Sequence, residues 1–295
     1  MGEGARRADE GGYYMKIKIT KMQGCGNDFV ILDYKEFLKM DCDMSEAAIK
    51  LCDRNFGIGA DGLIIPNTET EDTDIGWYFY NSDGSTAQMC GNGMRCFARY
   101  VYDKGLVDKK EFTVKTLAGV MKPAILEDGQ IRVNMSKPIL DTEKIPFLPN
   151  HNLNYKISVK NRIFEGNAVS MGNPHFVIFI KDDENLLDLA KEYGPEIELG
   201  AEFPEKTNVE FIKIKSHRKI ELCVWERGCG ITLACGTGAC ASVVAGVLNG
   251  YLENSVDVEL LGGKVNVTWN GSPNKTDGDV FLSGPAEYVF NAELL

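Results

Sequence analysis

The stretch WERGCGITLACGTGACASVVAGVLNG, residues 225–250, reads as the end of a strand, a loop punctuated by glycines, and a helix of small apolar residues. Cys235-Gly236-Thr237-Gly238 opens that helix. A helix start leaves amide N–H groups without intrahelical partners and carries a partial positive charge. It can therefore hold a carboxylate and lower the pKa of a cysteine. A twin lies upstream, YNSDGSTAQMCGNGMRCFARYVYDKG at residues 80–105, where Cys90-Gly91-Asn92-Gly93 opens the helix.

The twins extend into a repeat of half the chain. A shift of 145 residues lays Ile75 on Ile220, Trp77 on Leu222, Phe79 on Val224, Asn81 on Glu226, Cys90 on Cys235 and Gly105 on Gly250. Further upstream a shift of 146 lays Gly26-Asn27 on Gly172-Asn173 and Gly62 on Asn208. A period this long means two similar lobes, not a solenoid. Ala239, Cys240, Val243, Val244, Val247 and Leu248 cover most of the second helix, and a helix apolar nearly all round is a buried one. The expected fold is α+β, with two pseudo-symmetric lobes, each a strand-rich barrel wrapped around a central helix. The first lobe is expected over 15–134, with a tail at 285–295 returning to it. The second is expected over 135–284, and 1–14 is read as a disordered extension.

Local signals fill in this frame. Met15 to Thr20 alternates as an edge strand, and Met44 to Phe56 has helical spacing with Ser45 as its cap. Val120 to Leu126 reads as one strand. Residues 137–154 hold three prolines and little periodicity, and form the connection between halves. A helix from Asn185 is expected to stop at Tyr193, before Gly194-Pro195.

Composition excludes several classes. A net charge of −11 argues against a nucleic-acid partner, which needs a basic face. The apolar runs are too short to span a membrane. The first fourteen residues lack the apolar core of a signal peptide, and their acidic residues fit a transit peptide badly. Either Met1 or Met15 fits as the start. Nine cysteines at irregular spacing suit a reducing, cytoplasmic setting better than a disulfide framework. No C-x₂-C pair occurs and the three histidines are scattered, so no metal site is expected.

Symmetry suggests the chemistry. Two lobes facing each other across a cleft would each present a cysteine at a helix start. Opposed thiols suit the removal of a proton from one face of a carbon and delivery of another to the opposite face, which is racemisation or epimerisation. One cysteine must be thiolate while the other is thiol, and their roles exchange with direction. Two helix starts aimed at one carboxylate would stabilise the carbanion that develops beside it.

Four segments carry a resemblance: Gly24-Cys25-Gly26-Asn27-Asp28-Phe29, Met89 to Arg99, Met171 to His175, and Glu226-Arg227-Gly228 followed by Ala234 to Gly238. Together they resemble diaminopimelate epimerase, in that family's order and over nearly the whole chain from Met15. Glu226-Arg227-Gly228 before the second cysteine sets this branch apart from proline racemases and phenazine-type isomerases. The resemblance implies a cofactor-independent enzyme that interconverts LL- and meso-diaminopimelate in lysine and cell-wall synthesis. It implies that Cys90 and Cys235 are the acid/base pair. The amides around Gly91-Asn92 and Gly236-Thr237 would hold the reacting α-carboxylate. Asn81, Asn173, Asn208 and Arg227 would hold the distal amino-acid end, and Asn27 would line the pocket. His175 and Glu226 would sit near the reacting amino group and the thiols.

A homodimer is the common assembly in that family, although nothing in the sequence locates an interface. Some members carry glutamine where Gly62 stands. Cys229 is an additional thiol near the site, and Ile231 and Leu233 make the adjoining loop more apolar than in some members. Two alternatives stay open: another isomerase of this architecture, with both cysteines and different distal-end residues, and a thiol-based redox or binding module.

Overall fold

The computed structural model describes residues 16–294, so the extension expected at 1–14 lies outside the described residues. In chain order the first half comprises β1 (Ile17–Gly24), β2 (Asn27–Ile31), α1 (Tyr34–Phe37), α2 (Met44–Cys52), β3 (Gly62–Asn67), β4 (Ile75–Asn81), α3 (Gly91–Asp103), β5 (Val114–Thr116), β6 (Gly119–Met121), β7 (Ala124–Ile125) and β8 (Ile131–Asn134). The second half comprises β9 (Tyr155–Val159), β10 (Arg162–Ser170), β11 (Pro174–Phe179), α4 (Leu186–Glu198), β12 (Asn208–Ser216), β13 (Lys219–Glu226), β14 (Gly230–Ile231), α5 (Gly236–Leu248), β15 (Ser255–Leu260), β16 (Gly263–Trp269), β17 (Val280–Gly284) and β18 (Glu287–Leu294).

The repeat is visible in how strands pair. β1 and β2 are antiparallel, β2 and β3 parallel, β3 and β4 antiparallel, β4 and β5 parallel, β5 and β6 antiparallel. The same order recurs through β10, β11, β12, β13, β15 and β16. Even the register repeats: Phe29 pairs with Gly62 as His175 pairs with Asn208. Each parallel step needs a long crossover, and the helices supply it.

Strand alternation sorts side chains into layers. Phe29, Ile31 and Ile64 face α3 in the main core, while Val30, Leu63 and Ile65 face α2 on the other side of the sheet. In the second lobe Val177 and Ile212 face α5, whereas Phe176, Ile178 and Phe211 face α4. Ten residues of α5, from Gly238 to Val247, are buried. The central helices are the axes about which the two sheets curl. Both end as their glycines predict, with Gly105 and Gly250 in the left-handed region.

The boundary between lobes is not a break in the sheets. β18 pairs with β1, joining the C-terminal end to the first sheet. β7 and β8 hydrogen-bond into the second sheet through β17, yet pack on α3. The strand expected over 120–126 breaks at Pro123, which has no N–H to give a ladder. β6 on one side and β7 on the other belong to different sheets.

Two local expectations change. Asp43, not Ser45, caps α2, accepting from the Glu46 amide at 2.9 Å, while Ser45 donates to the Gly84 carbonyl. Helix α4 runs through Pro195 to Glu198. The proline removes one helical donor, but the last turn is anchored elsewhere. Ile197 is buried, and the Glu198 carboxylate accepts from Trp225 Nε1 at 2.7 Å and from the Gly228 amide at 2.9 Å. Gly194 permits this: a Cβ there would stand 2.6 Å from the Trp225 side chain.

Candidate active site

The two helix starts converge. Cβ atoms on Gly91 and Gly236 would lie 3.2 and 3.1 Å from the same Leu282 methyl, and the latter also 3.9 Å from Asn92 Oδ1. Leu282, on β17, is thus a shared floor beneath both first turns. Cys90 and Cys235 are the N-cap residues of α3 and α5, and each sulfur accepts from the amide three residues on, Gly93 and Gly238, at 3.4 Å. That is the N-cap geometry, with sulfur in place of oxygen.

Around Cys90 the partners come from the first lobe. Asn27 Oδ1 accepts from Asn92 Nδ2 at 3.1 Å and lies 3.6 Å from the Cys90 sulfur. Its amide nitrogen donates to Asp61 at 2.6 Å, which fixes that orientation. Arg95, one turn further along α3, is fully buried. It donates to the Pro285 carbonyl and its Nη2 lies 3.8 Å from the Cys25 sulfur, while its Nη1 has no partner among the described residues.

Around Cys235 the partners come from three strands and the helix itself. Thr237 Oγ1 is 3.5 Å from its sulfur. Glu226, at the end of β13, lies beside the thiol and accepts from the Thr232 hydroxyl. His175, on β11, has Nε2 3.1 Å from Asn173 Oδ1 and Nδ1 2.6 Å from Glu210 Oε1. His175, Glu210 and Cys235 bring ligand-type atoms within 4.8 Å of one another. The 2.6 Å contact is nevertheless a hydrogen bond. Two ligands of one tetrahedral zinc ion, each about 2.0–2.2 Å from the metal, stand further apart.

The distal-end residues are more dispersed. Asn208 is buried, donates to the Pro174 carbonyl at 2.7 Å and accepts from the Arg227 amide at 2.9 Å. The Arg227 side chain is exposed and donates to the Glu205 carbonyl. Asn81 is bound to Ser85 within its own turn, and among the described residues no hydrogen bond ties it to the other site residues. At Gly62 a Cβ would lie 2.7 Å from the Tyr80 carbonyl, so the strand pairing here leaves no room for a side chain. Cys229 is exposed. Leu233 packs on Gly26, where a Cβ would meet it at 2.7 Å.

Burial overrides the helix starts in setting the thiol pKa values. Desolvation raises Cys90; the Gly93 and Asn92 amides and Arg95 lower it, and Glu226 raises it further. Cys235 is raised well above the ordinary value by burial, then by the negative charges of Glu226 and Glu210, against the Thr237 hydroxyl and Gly238 amide. Burial likewise raises Glu226, against the Thr232 hydroxyl.

Sequence reading missed Glu210. It is fully buried in a strand that otherwise looks like an apolar alternation. Its only mark is a carboxylate two residues after Asn208, on the same face.

Paired lobes meeting at two helix starts, each carrying a thiol, form an arrangement that suits an isomerase of the racemase and epimerase type. The family model for diaminopimelate epimerase matches residues 19–140 and 167–289. The diaminopimelate epimerase of Halothermothrix orenii is 44% identical, with 95% of this chain and 99% of that protein covered. That of Desulfitobacterium hafniense is 46% identical over 95% of this chain and 98% of its own length. The chain belongs to the diaminopimelate epimerase family and is an isomerase. Among solved structures, a hydroxyproline epimerase from Agrobacterium vitis shares the fold at TM-score 0.66 and 11% identity, covering 96% of this chain and 93% of its own. A Bacillus anthracis protein of the phenazine biosynthesis PhzF family does so at 0.65 and 16%, covering 95% and 99%.

Proposed function

We propose that this chain interconverts LL- and meso-diaminopimelate by a two-base mechanism at Cys90 and Cys235. The observation that carries it is the pair of thiol-capped helix starts converging over Leu282. One cysteine, as thiolate, takes the Cα proton. The other, as thiol, delivers its own to the opposite face. The free amides of the first turns, at Gly91-Asn92 and Gly236-Thr237, receive the α-carboxylate and stabilise charge developing next to it. Asn27 orients Cys90. His175 and Glu226 serve the amino group and Cys235. Asn81, Asn173, Asn208 and Arg227 recognise the second amino-acid terminus, which a substrate with one such terminus would leave unpaired. Binding by Asn81 and Arg227 requires both side chains to turn from the partners they have here.

The test is solvent deuterium uptake at Cα of LL-diaminopimelate by the reduced chain. Uptake with formation of the meso isomer is expected, and no uptake would sink the reading. Cys90→Ser and Cys235→Ser should each cut epimerisation by about 100-fold or more, the scale of a lost general acid or base. Wild-type turnover in either variant would refute the two-base assignment.

Nine cysteines without disulfides suit a reducing compartment, and the proposed location is the cytoplasm. Among the described residues no helix is long and apolar enough to cross a membrane. The proposed assembly is a homodimer. The exposed Tyr288, Val289 and Phe290 on edge strand β18 are a surface that a second copy would cover. Light scattering at the mass of one chain under assay conditions would refute it.

A further inference from the structure

Glu210 has the environment of a functional carboxylate and no assigned role. It is fully buried on β12, and its Oε2 has no hydrogen-bond partner among the described residues. A buried carboxyl oxygen without a partner is costly, and a purely packing role would not offset that cost. Its other oxygen is 2.6 Å from His175 Nδ1. The parallel ladder that sets Asn208 beside His175 brings Glu210 to this point from two residues further along. Glycine at 238 admits it: a Cβ there would stand 2.7 Å from Glu210 Oε1 and 3.3 Å from the Cys235 sulfur. The carboxylate thus touches both the histidine and the first turn of the helix that bears the thiol.

We propose that Glu210 is a positioning residue for epimerisation, holding the His175 ring through Nδ1 and setting a carboxylate against the helix start that bears Cys235. The proposal rests on the two-thiol reading above. The carboxylate at Nδ1 and the Asn173 side chain at Nε2 hold the ring from both sides and fix its plane in the site. The Glu210 carboxylate beside the buried Cys235 thiol raises that thiol, as Glu226 does. The other groups facing Cys235 are Glu226 from β13, His175 from β11, and Thr237 and the Gly238 amide from α5. Arg95, the fixed cation of this core, lies on α3, the helix of Cys90, and lowers that thiol. The two thiols are therefore inequivalent before substrate arrives. Each thiol still serves as base in one direction and as acid in the other.

Glu210→Gln keeps the shape and removes the charge. The expected result is at least a ten-fold loss of kcat at a KM within two-fold of wild type. The pH midpoint for iodoacetamide alkylation of Cys235, read by peptide mass spectrometry, should move down. Unchanged kcat with an unchanged midpoint overturns the proposal, whatever happens to Tm. If Glu210→Gln does not accumulate as folded protein, Glu210→Asp decides. That variant retains the charge on a shorter stem. A ten-fold loss of kcat at unchanged KM supports the positioning role, and a wild-type kcat refutes it. Wild-type protein is assayed alongside. Absence of Cα exchange there would sink the diaminopimelate reading itself, whereas normal exchange with an indifferent Glu210→Gln sinks only the assignment to Glu210.

Discussion

Cys90 and Cys235 show two opposed effects acting on one atom. A helix start offers donors and partial positive charge, and each sulfur accepts an amide hydrogen bond at 3.4 Å. Sulfur is a weak acceptor, and the bond is correspondingly weak. Removing the thiolate from water costs more, so the direction for both thiols is upward. The charges then divide them, with cationic Arg95 behind Cys90 and two carboxylates at Cys235. The cysteines, the glycines beside them, Asn27, Asn173 and His175 stand in local motifs, each within a few positions of a turn or helix start, and the fold brings them together around the two thiols. Glu210 stands in no such motif. Its partner His175 is brought to it by parallel pairing between strands separated by a helix, and nothing local in Asn208-Val209-Glu210-Phe211 distinguishes a buried carboxylate from one on a wet face.

At the scale of elements, chain signals succeeded where the cause was local. Gly105 and Gly250 end the central helices because each adopts a positive φ that other residues resist. The two misread helices failed for different reasons. Pro195 is a local stop overridden by contacts from Trp225 and Gly228 to Glu198. At α2 the competition was between two neighbouring cap candidates, and Asp43 wins because its carboxylate reaches the Glu46 amide while Ser45 is engaged by Gly84. Asp43→Ala should therefore lower the free energy of unfolding by about 1 kcal/mol, the usual value of an N-cap, as measured by urea unfolding. A variant as stable as wild type would show that α2 starts without that cap.

The whole molecule inherits a cost from burying so many thiols. Cysteine fills small spaces in the two central helices, at Cys96 and Cys240, and in the outer layers under α2 and α4, at Cys52 and Cys223. Burial raises Cys52 and Cys96 to about 12 and Cys223 to about 11, and it raises Cys240 as well. In the unfolded chain the same thiols ionise near the ordinary value of about 8.5. A group whose pKa is raised on folding contributes its full stability below the unfolded value and loses it as pH climbs toward the folded one. Between about pH 8.5 and 11 each such thiol is an anion when unfolded and neutral when folded. Each then reduces the free energy of unfolding by about 1.4 kcal/mol per pH unit. Tyr100, raised by burial and by Asp33, adds to the slope above its own ordinary value of about 10. Urea unfolding at a series of pH values should show stability falling steeply through this window. Cys96→Ala, which removes one fully buried thiol from α3, should start less stable and fall less steeply, by about that same 1.4 kcal/mol per unit. Parallel slopes for the variant and wild type would mean that Cys96 ionises alike in both states and that its burial does not protect the proton.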